Sequence, residues 1–305
     1  MTHPLRFGLK LSGQDTTVAA LRAVWRIADE SGFDHVWDFD HLASIGDGGP
    51  DRPIYEGWML QAAMAEATKR VRIGCLVTGN TYRNPALLAK SAVTVDHLSN
   101  GRLEFGIGAA WALIEHEMYG FAGLDHRVGM LSESLRIIRS LWTEQRTNFE
   151  GRYYHFKDAI ANPKPIQSPY PPIWVGASGP TTLRLVARYA DVWNIAGGDA
   201  GRVKQLVPLF EKACAATGRN PLEIRRSVQF GWDGKDRSEL IELVAQYLEL
   251  GVTEQVIYLR GGQPEALADK VAEALPDLRK IDKRAPTVGG GRSAGGDIPT
   301  GIQGR

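Results

Sequence analysis

The feature that most limits what this chain can fold into is an alternation of short β-rich runs with longer amphipathic stretches, repeated about eight times. The strand candidates are residues 5–11, 35–37, 71–77, 103–107, 172–176, 191–194, 224–231 and 255–258. Helical periodicity marks 18–31, 58–68, 87–98, 130–142, 181–189, 203–217, 238–250 and 265–275. The run Val-Arg-Ile-Gly-Cys-Leu-Val at 71–77 is almost continuously apolar, as a strand buried on both faces requires. A doubly wound open sheet shares this local alternation. Eight strand–helix units in series favour a closed (β/α)8 TIM barrel, whose usual size of roughly 250 residues fits inside this chain. One interruption, at 148–162, has aromatic residues Phe149, Tyr153, Tyr154 and Phe156 around Glu150-Gly151-Arg152, and predicts a small hairpin inserted before strand five. Residues 1–284 show no internal domain boundary. Residues 285–305 are glycine-rich and poor in apolar side chains, which predicts a disordered tail.

Charge narrows the partners. Lys+Arg total 36 against Asp+Glu 35, a net charge of +1, so no overall field draws in nucleic acid or an anionic membrane, and a small-molecule substrate is expected. The first ten residues lack the basic and long apolar regions of a signal peptide, and no stretch reaches the ~18 apolar residues of a membrane span. A cytoplasmic location follows as the expectation. The histidines are scattered, and neither His-x-x-x-His nor Cys-x-x-Cys occurs, so no metal site is expected. His97 lies in a helical pattern and reads as a packing residue.

In a barrel, chemistry gathers on the loops leaving the C-terminal ends of the strands. After strand two stand Asp40 and His41; an imidazole beside a carboxylate can hold one tautomer and move a proton near neutral pH, and an ordinary loop histidine would look the same. After strand three, Thr78-Gly79-Asn80-Thr81 lets backbone approach a flat heterocycle, although a simple turn would use the same residues. Asn84-Pro85 reads as an N-cap and first helical position. After strand four comes Gly108-Ala109-Ala110-Trp111. After strand five, Gly176-Ala177-Ser178-Gly179-Pro180-Thr181 runs straight into a helix, whose N-terminus favours an anion; it would also serve as a plain connection.

Taken together and in order, these strings make the chain resemble the F420-dependent branch of the luciferase-like (bacterial-luciferase-like) superfamily from Phe7 to about Leu275. The matching segments are Gly32-Phe33-Asp34-His35-Val36-Trp37 with Asp40-His41, 76–90, 96–104, Glu115-His116 with Tyr119-Gly120, 149–154 and 187–194. The resemblance implies a luciferase-like TIM-barrel oxidoreductase that binds coenzyme F420, with FMN as the alternative cofactor. It implies that Asp40 and His41 border the reactive ring, with His41 the catalytic proton donor. A bulge with a non-prolyl cis peptide near Leu76-Val77, followed by Thr78, would back the ring together with Asn80. Gly108, Ala109 and Ala110 would line the pocket, and Gly176, Ala177, Ser178, Gly179 and Thr181 would hold the phosphate. Two departures stand out. Ala110 replaces a glycine usual in relatives, and the Trp and Glu that sugar-phosphate dehydrogenase members use are represented by residues 43–45 and Trp111, which argues against glucose 6-phosphate as substrate. Hydride transfer, an FMN- and oxygen-dependent monooxygenase, and a flavin-binding protein without turnover are the three readings that follow. A homodimer is common among relatives.

Overall fold

A computed structural model of the chain describes residues 3–282 except residue 261. The expected disordered tail at 285–305 lies outside the described residues. The barrel strands are β1 (Arg6–Lys10), β2 (His35–Asp38), β3 (Arg72–Cys75), β4 (Leu103–Gly108), β5 (Ile173–Gly176), β6 (Val192–Ala196), β7 (Arg225–Trp232) and β8 (Glu254–Leu259). All neighbours pair in parallel, β8 returns to β1, and β3 pairs with β4, so the sheet closes. This is the (β/α)8 barrel that the alternation predicts. Outside it lie α1 (Val18–Glu30), α2 (Gly57–Ala67), α3 (Pro85–Leu98), α4 (Leu113–Tyr119), α5 (Arg127–Thr143), α6 (Pro180–Tyr189), α7 (Ala200–Thr217), α8 (Arg237–Glu249) and α9 (Pro264–Asp282). The insertion before β5 is a hairpin of Thr147–Glu150 with His155–Ala159, as its aromatic flanks suggest.

Local chemistry sets the ends of these elements. Asn84 accepts from the Ala86 N–H at 2.9 Å and Pro85 occupies the first helical turn, so α3 starts where the sequence places it. Asp199 caps α7 in the same way, and Gly218 ends that helix at φ +69°, a conformation that disfavours a Cβ. The third strand departs from the expected run 71–77: regular pairing stops at Cys75, the Leu76–Val77 peptide is cis, and pairing to β4 resumes at Thr78–Gly79. His97 also departs from expectation. It is exposed, and its Nε2 lies 2.8 Å from the Lys164 carbonyl, because position 97 falls on the outward face of α3.

Alternation along the strands fills the barrel with three tiers. The lowest is ionic: Glu254 meets Arg6 at 3.1 Å, Arg225 at 2.5 Å and His35 at 3.0 Å, while Glu104 pairs with Arg72 and accepts from the Trp174 indole at 2.6 Å. Burial opposes the Glu254 charge, yet His35 and the two arginines pull its pKa down to about 2. Above it, Trp37, Trp174, Val192 and Val256 form an apolar plug. Gly74 is required here, since a Cβ would come within 2.3 Å of the Trp37 ring. The third tier is the floor of an open cavity.

Candidate active site

Above the plug, a cavity of about 1000 Å³ opens at the C-terminal ends of the strands. Its wall includes Asp40, His41, Leu76, Val77, Thr78, Gly108, Ala109, Ala110, Gly176, Ala177, Ser178 and Gly179, so sequence positions spread over some 140 residues of chain meet in one place.

His41 is buried, with its Nδ1 2.7 Å from Oε2 of Glu115. A carboxylate there fixes the proton on Nδ1 and leaves Nε2, which has no protein partner among the described residues, at the cavity. Glu115 is held in turn by three more donors: the Tyr82 hydroxyl at 2.5 Å and the backbone N–H groups of Leu42 at 2.6 Å and Ala43 at 3.1 Å. Burial opposes ionisation of Glu115, but these hydrogen bonds outweigh it and bring its pKa down to about 2. The same carboxylate, after burial, pushes the Tyr82 hydroxyl pKa far up, so the phenol remains a donor. The Trp111 ring stands edge-on to His41 at 5.5 Å between centroids.

Asp40 is buried and both its oxygens accept from Arg83, at 2.5 and 3.0 Å; Arg83 also pairs with Glu56. Burial raises the Asp40 pKa, and Arg83 offsets this only in part. The carboxylate therefore belongs to an internal clamp between the β2 and β3 loops as well as to the cavity wall.

On the β3 to β5 side the floor is bare. A Cβ on Gly106 would sit 2.0 Å from the Cys75 carbonyl oxygen, and one on Gly108 would sit 2.8 Å from Cγ2 of Val77. Glycine at 108 and 176 lets the Val77 side chain lie flush with the β4 and β5 backbone. Ala110 carries φ +64°, in the left-handed region that favours glycine, so the methyl group that departs from the usual glycine sits on a backbone shaped for none. Beside it, Gly179 is the N-cap of α6 and has no side-chain acceptor to offer. Thr182 reaches back, accepting from the Gly179 N–H at 3.2 Å, and the remaining first-turn N–H groups are open to an anion.

Two expected residues lie off the wall. Asn80 is buried behind it, its amide donating to the Arg127 carbonyl at 3.3 Å, because the turn after Gly79 coils inward. Thr181 is exposed on the outer side of α6, and Thr182, one position on, takes its place at the cavity. The rim hydroxyls are also less available than the sequence suggests: Thr78 accepts from the Trp58 indole at 2.9 Å and Thr81 bonds His116 at 2.6 Å. Glu115, Tyr82, Arg83 and Lys10 are the site residues that sequence reasoning missed. Lys10 had a signal, a cation set between Leu9 and Leu11 in a largely apolar β-run. Glu115 had only its place in the Glu115-His116 segment of the family resemblance, which gave it no role, since its partners come from loops 33 to 74 residues away.

The family model for luciferase-like monooxygenases matches residues 2–280. A relative named F420-dependent glucose-6-phosphate dehydrogenase, from Amycolatopsis mediterranei strain U-32, is 32% identical over 287 residues, covering 92% of this chain and 84% of its own. Among solved structures, an F420-dependent secondary alcohol dehydrogenase bound to an F420–acetone adduct superposes with a TM-score of 0.81 at 20% identity, over 90% of this chain and 99% of that one. The coenzyme F420-dependent tetrahydromethanopterin reductase of Methanopyrus kandleri gives 0.75 at 18% identity, over 90% and 100%. These likenesses agree with the barrel traced above. With the match to nearly all of the described residues, they establish that the chain belongs to the luciferase-like monooxygenase family.

Proposed function

We propose that this protein is an oxidoreductase that uses coenzyme F420 to move a hydride to or from a small organic substrate. The observation that carries the reading is the pairing of a flush, glycine-bare floor on β3 to β5 with His41, held by Glu115, at its edge. Such a floor fits a flat tricyclic ring, which a Cβ on Gly108 or Gly176 would displace through Val77. Leu76, Val77 and Thr78 would lie under the ring, with Asp40 and Gly108 to Ala110 around it and the α6 first turn at Ser178–Gly179 holding the phosphate. When bound, the deazaflavin supplies hydride transfer at its C5. His41 moves the accompanying proton through Nε2, and Glu115 keeps that nitrogen turned to the cavity. The walls orient the two reactants and exclude water.

The dehydrogenase name of the Amycolatopsis relative supports F420 over FMN. Glucose 6-phosphate is the first substrate to try, and we expect no turnover of it, because Trp111 fills the position after β4 where the sugar-phosphate dehydrogenase members carry a Glu, its ring edge-on to His41. The test is a substrate screen following F420 absorbance, with oxygen uptake recorded alongside. We expect F420 turnover without oxygen consumption, and a loss of at least 100-fold in His41→Ala with cofactor affinity retained. FMN-dependent oxygen uptake would replace this reading with the monooxygenase, and undiminished turnover in His41→Ala would remove the role given to that residue.

A further inference from the structure

The cavity floor divides into two chemically different halves. From β2 to β5 the upper tier is Phe39, Leu76, Gly108 and Gly176, with no side-chain hydrogen-bonding group. From β6 round to β1 it is Asn194, Gln229, Tyr258 and Lys10, polar at every strand. All four line the cavity, and from β6 to β8 the row steps up two residues from strand to strand, Gln229 pairing with Val256, two residues before Tyr258. Lys10 pairs with Tyr258, and Asn194 pairs with Ser227, two residues before Gln229 on the same face of β7.

The polar half has donors to spare. Lys10 is buried, and its ammonium donates to the Leu76 carbonyl at 2.8 Å and to Oε1 of Gln229 at 2.6 Å, which leaves one of three N–H groups unassigned. Because the Gln229 carbonyl is occupied by Lys10, the other end of that amide is a donor. The Asn194 side chain is also buried; its Oδ1 accepts from Ser227 at 3.3 Å, and its Nδ2 has no partner among the described residues. A buried donor left unpaired costs about 1–3 kcal/mol, which a ligand acceptor would recover.

No carboxylate among the described residues is in contact with the Lys10 ammonium. Among the described residues it forms no ion pair; Asp40 is committed to Arg83, and Asp199 caps α7 through the Arg202 N–H. The nearby Asp38 carboxyl accepts from Gln61, and burial, together with Asp40, raises its pKa well above the usual carboxylate range. Burial draws the Lys10 pKa down only to about 8, so the ammonium is charged at neutral pH.

We propose that Lys10, Asn194 and Gln229 form a subsite for an anionic oxygen acceptor, and that its occupant is a carboxylate on the substrate. This rests on the reading of the β2 to β5 half as the ring platform, which leaves the β6 to β1 half to the substrate. An anionic edge of the reduced ring shares the same acceptor chemistry, and the test separates the two sources.

The experiment is calorimetric titration of benzoate, benzamide and benzyl alcohol into the protein, both loaded with oxidised F420 and free of it, after the F420 affinity itself has been measured. The expected result is benzoate binding at least tenfold more tightly than either neutral analogue. In Lys10→Met that preference falls at least tenfold, while benzamide and F420 affinities stay within threefold of the parent. Equal binding of benzoate and benzamide overturns the proposal in the unmodified protein, whatever the variant does. Loss of affinity for reduced F420 in Lys10→Met, with benzoate binding unchanged, assigns the donors to the ring instead and overturns it too. Should Lys10→Met not fold, Asn194→Leu carries the same comparison. Failure of F420 to bind refutes the proposed function, and is read from the first titration independently of the benzoate series.

Discussion

Replacing Glu115 by Gln should cost stability in a way that depends on pH. In the native protein this carboxylate accepts from the His41 ring, the Tyr82 hydroxyl and two backbone N–H groups, and its pKa lies at about 2. In the unfolded chain it titrates near its ordinary value of about 4.5. A folded-state pKa below the unfolded one stabilises the fold fully above pH ~4.5, and the contribution is lost as pH falls through that value toward ~2. The difference of about 2.5 pK units corresponds to about 3 kcal/mol at pH 7, of which about 1.4 kcal/mol remains at pH 3. A glutamine keeps an oxygen for the Leu42 and Ala43 N–H groups but turns an NH2 toward the His41 N–H, and it cannot titrate. Urea unfolding of both proteins at pH 7, 5, 4 and 3 should therefore show a destabilisation of about 3 kcal/mol at pH 7 that shrinks by about 2 kcal/mol at pH 3. A destabilisation that stays constant from pH 7 to pH 3 would refute the claim that the ionised carboxylate holds His41, Tyr82 and the loop together.

Two further substitutions probe the backbone around the site. Ala110→Gly relieves a left-handed alanine at φ +64°; after the greater freedom of glycine in the unfolded chain is allowed for, a gain of about 1 kcal/mol in urea unfolding is expected, and a loss would show that the methyl group packs usefully. Gly106→Ala drives a Cβ to 2.0 Å from the Cys75 carbonyl oxygen, a contact with backbone that no rotamer relieves. It should destabilise by about 3 kcal/mol or more, seen as a lower melting temperature, and a neutral result would mean that β3 and β4 can separate there.

The barrel was legible because each buried strand is a short apolar run between amphipathic stretches, and runs such as Val71–Cys75 keep that signature at any tertiary position. Asn84-Pro85 was legible for the same reason, since capping chemistry is local. α4 was not, because seven residues are too few to display a helical period, and Leu113, Ile114 and Met118 remain exposed rather than marking a buried stripe. Site residues divided along a similar line. Asp40, His41 and the glycines sit on strand ends that sequence order identifies, whereas the partners that give them their properties come from elsewhere: Glu115 from α4, Arg83 from the loop before α3, and Lys10 from β1. The misplacement at Thr181 is a matter of helix phase, since one residue along a first turn swings a side chain by about 100° from the outer face to the cavity.

The most direct test of the whole account is a fluorescence titration of the purified apoprotein with F420 and, separately, with FMN. A cavity floored by Val77, Gly108 and Gly176, with an open α6 N-terminus at Gly179, should bind F420 saturably and at least tenfold more tightly than FMN. Tight binding of FMN with none of F420 would contradict the cofactor assignment on which the proposed chemistry depends.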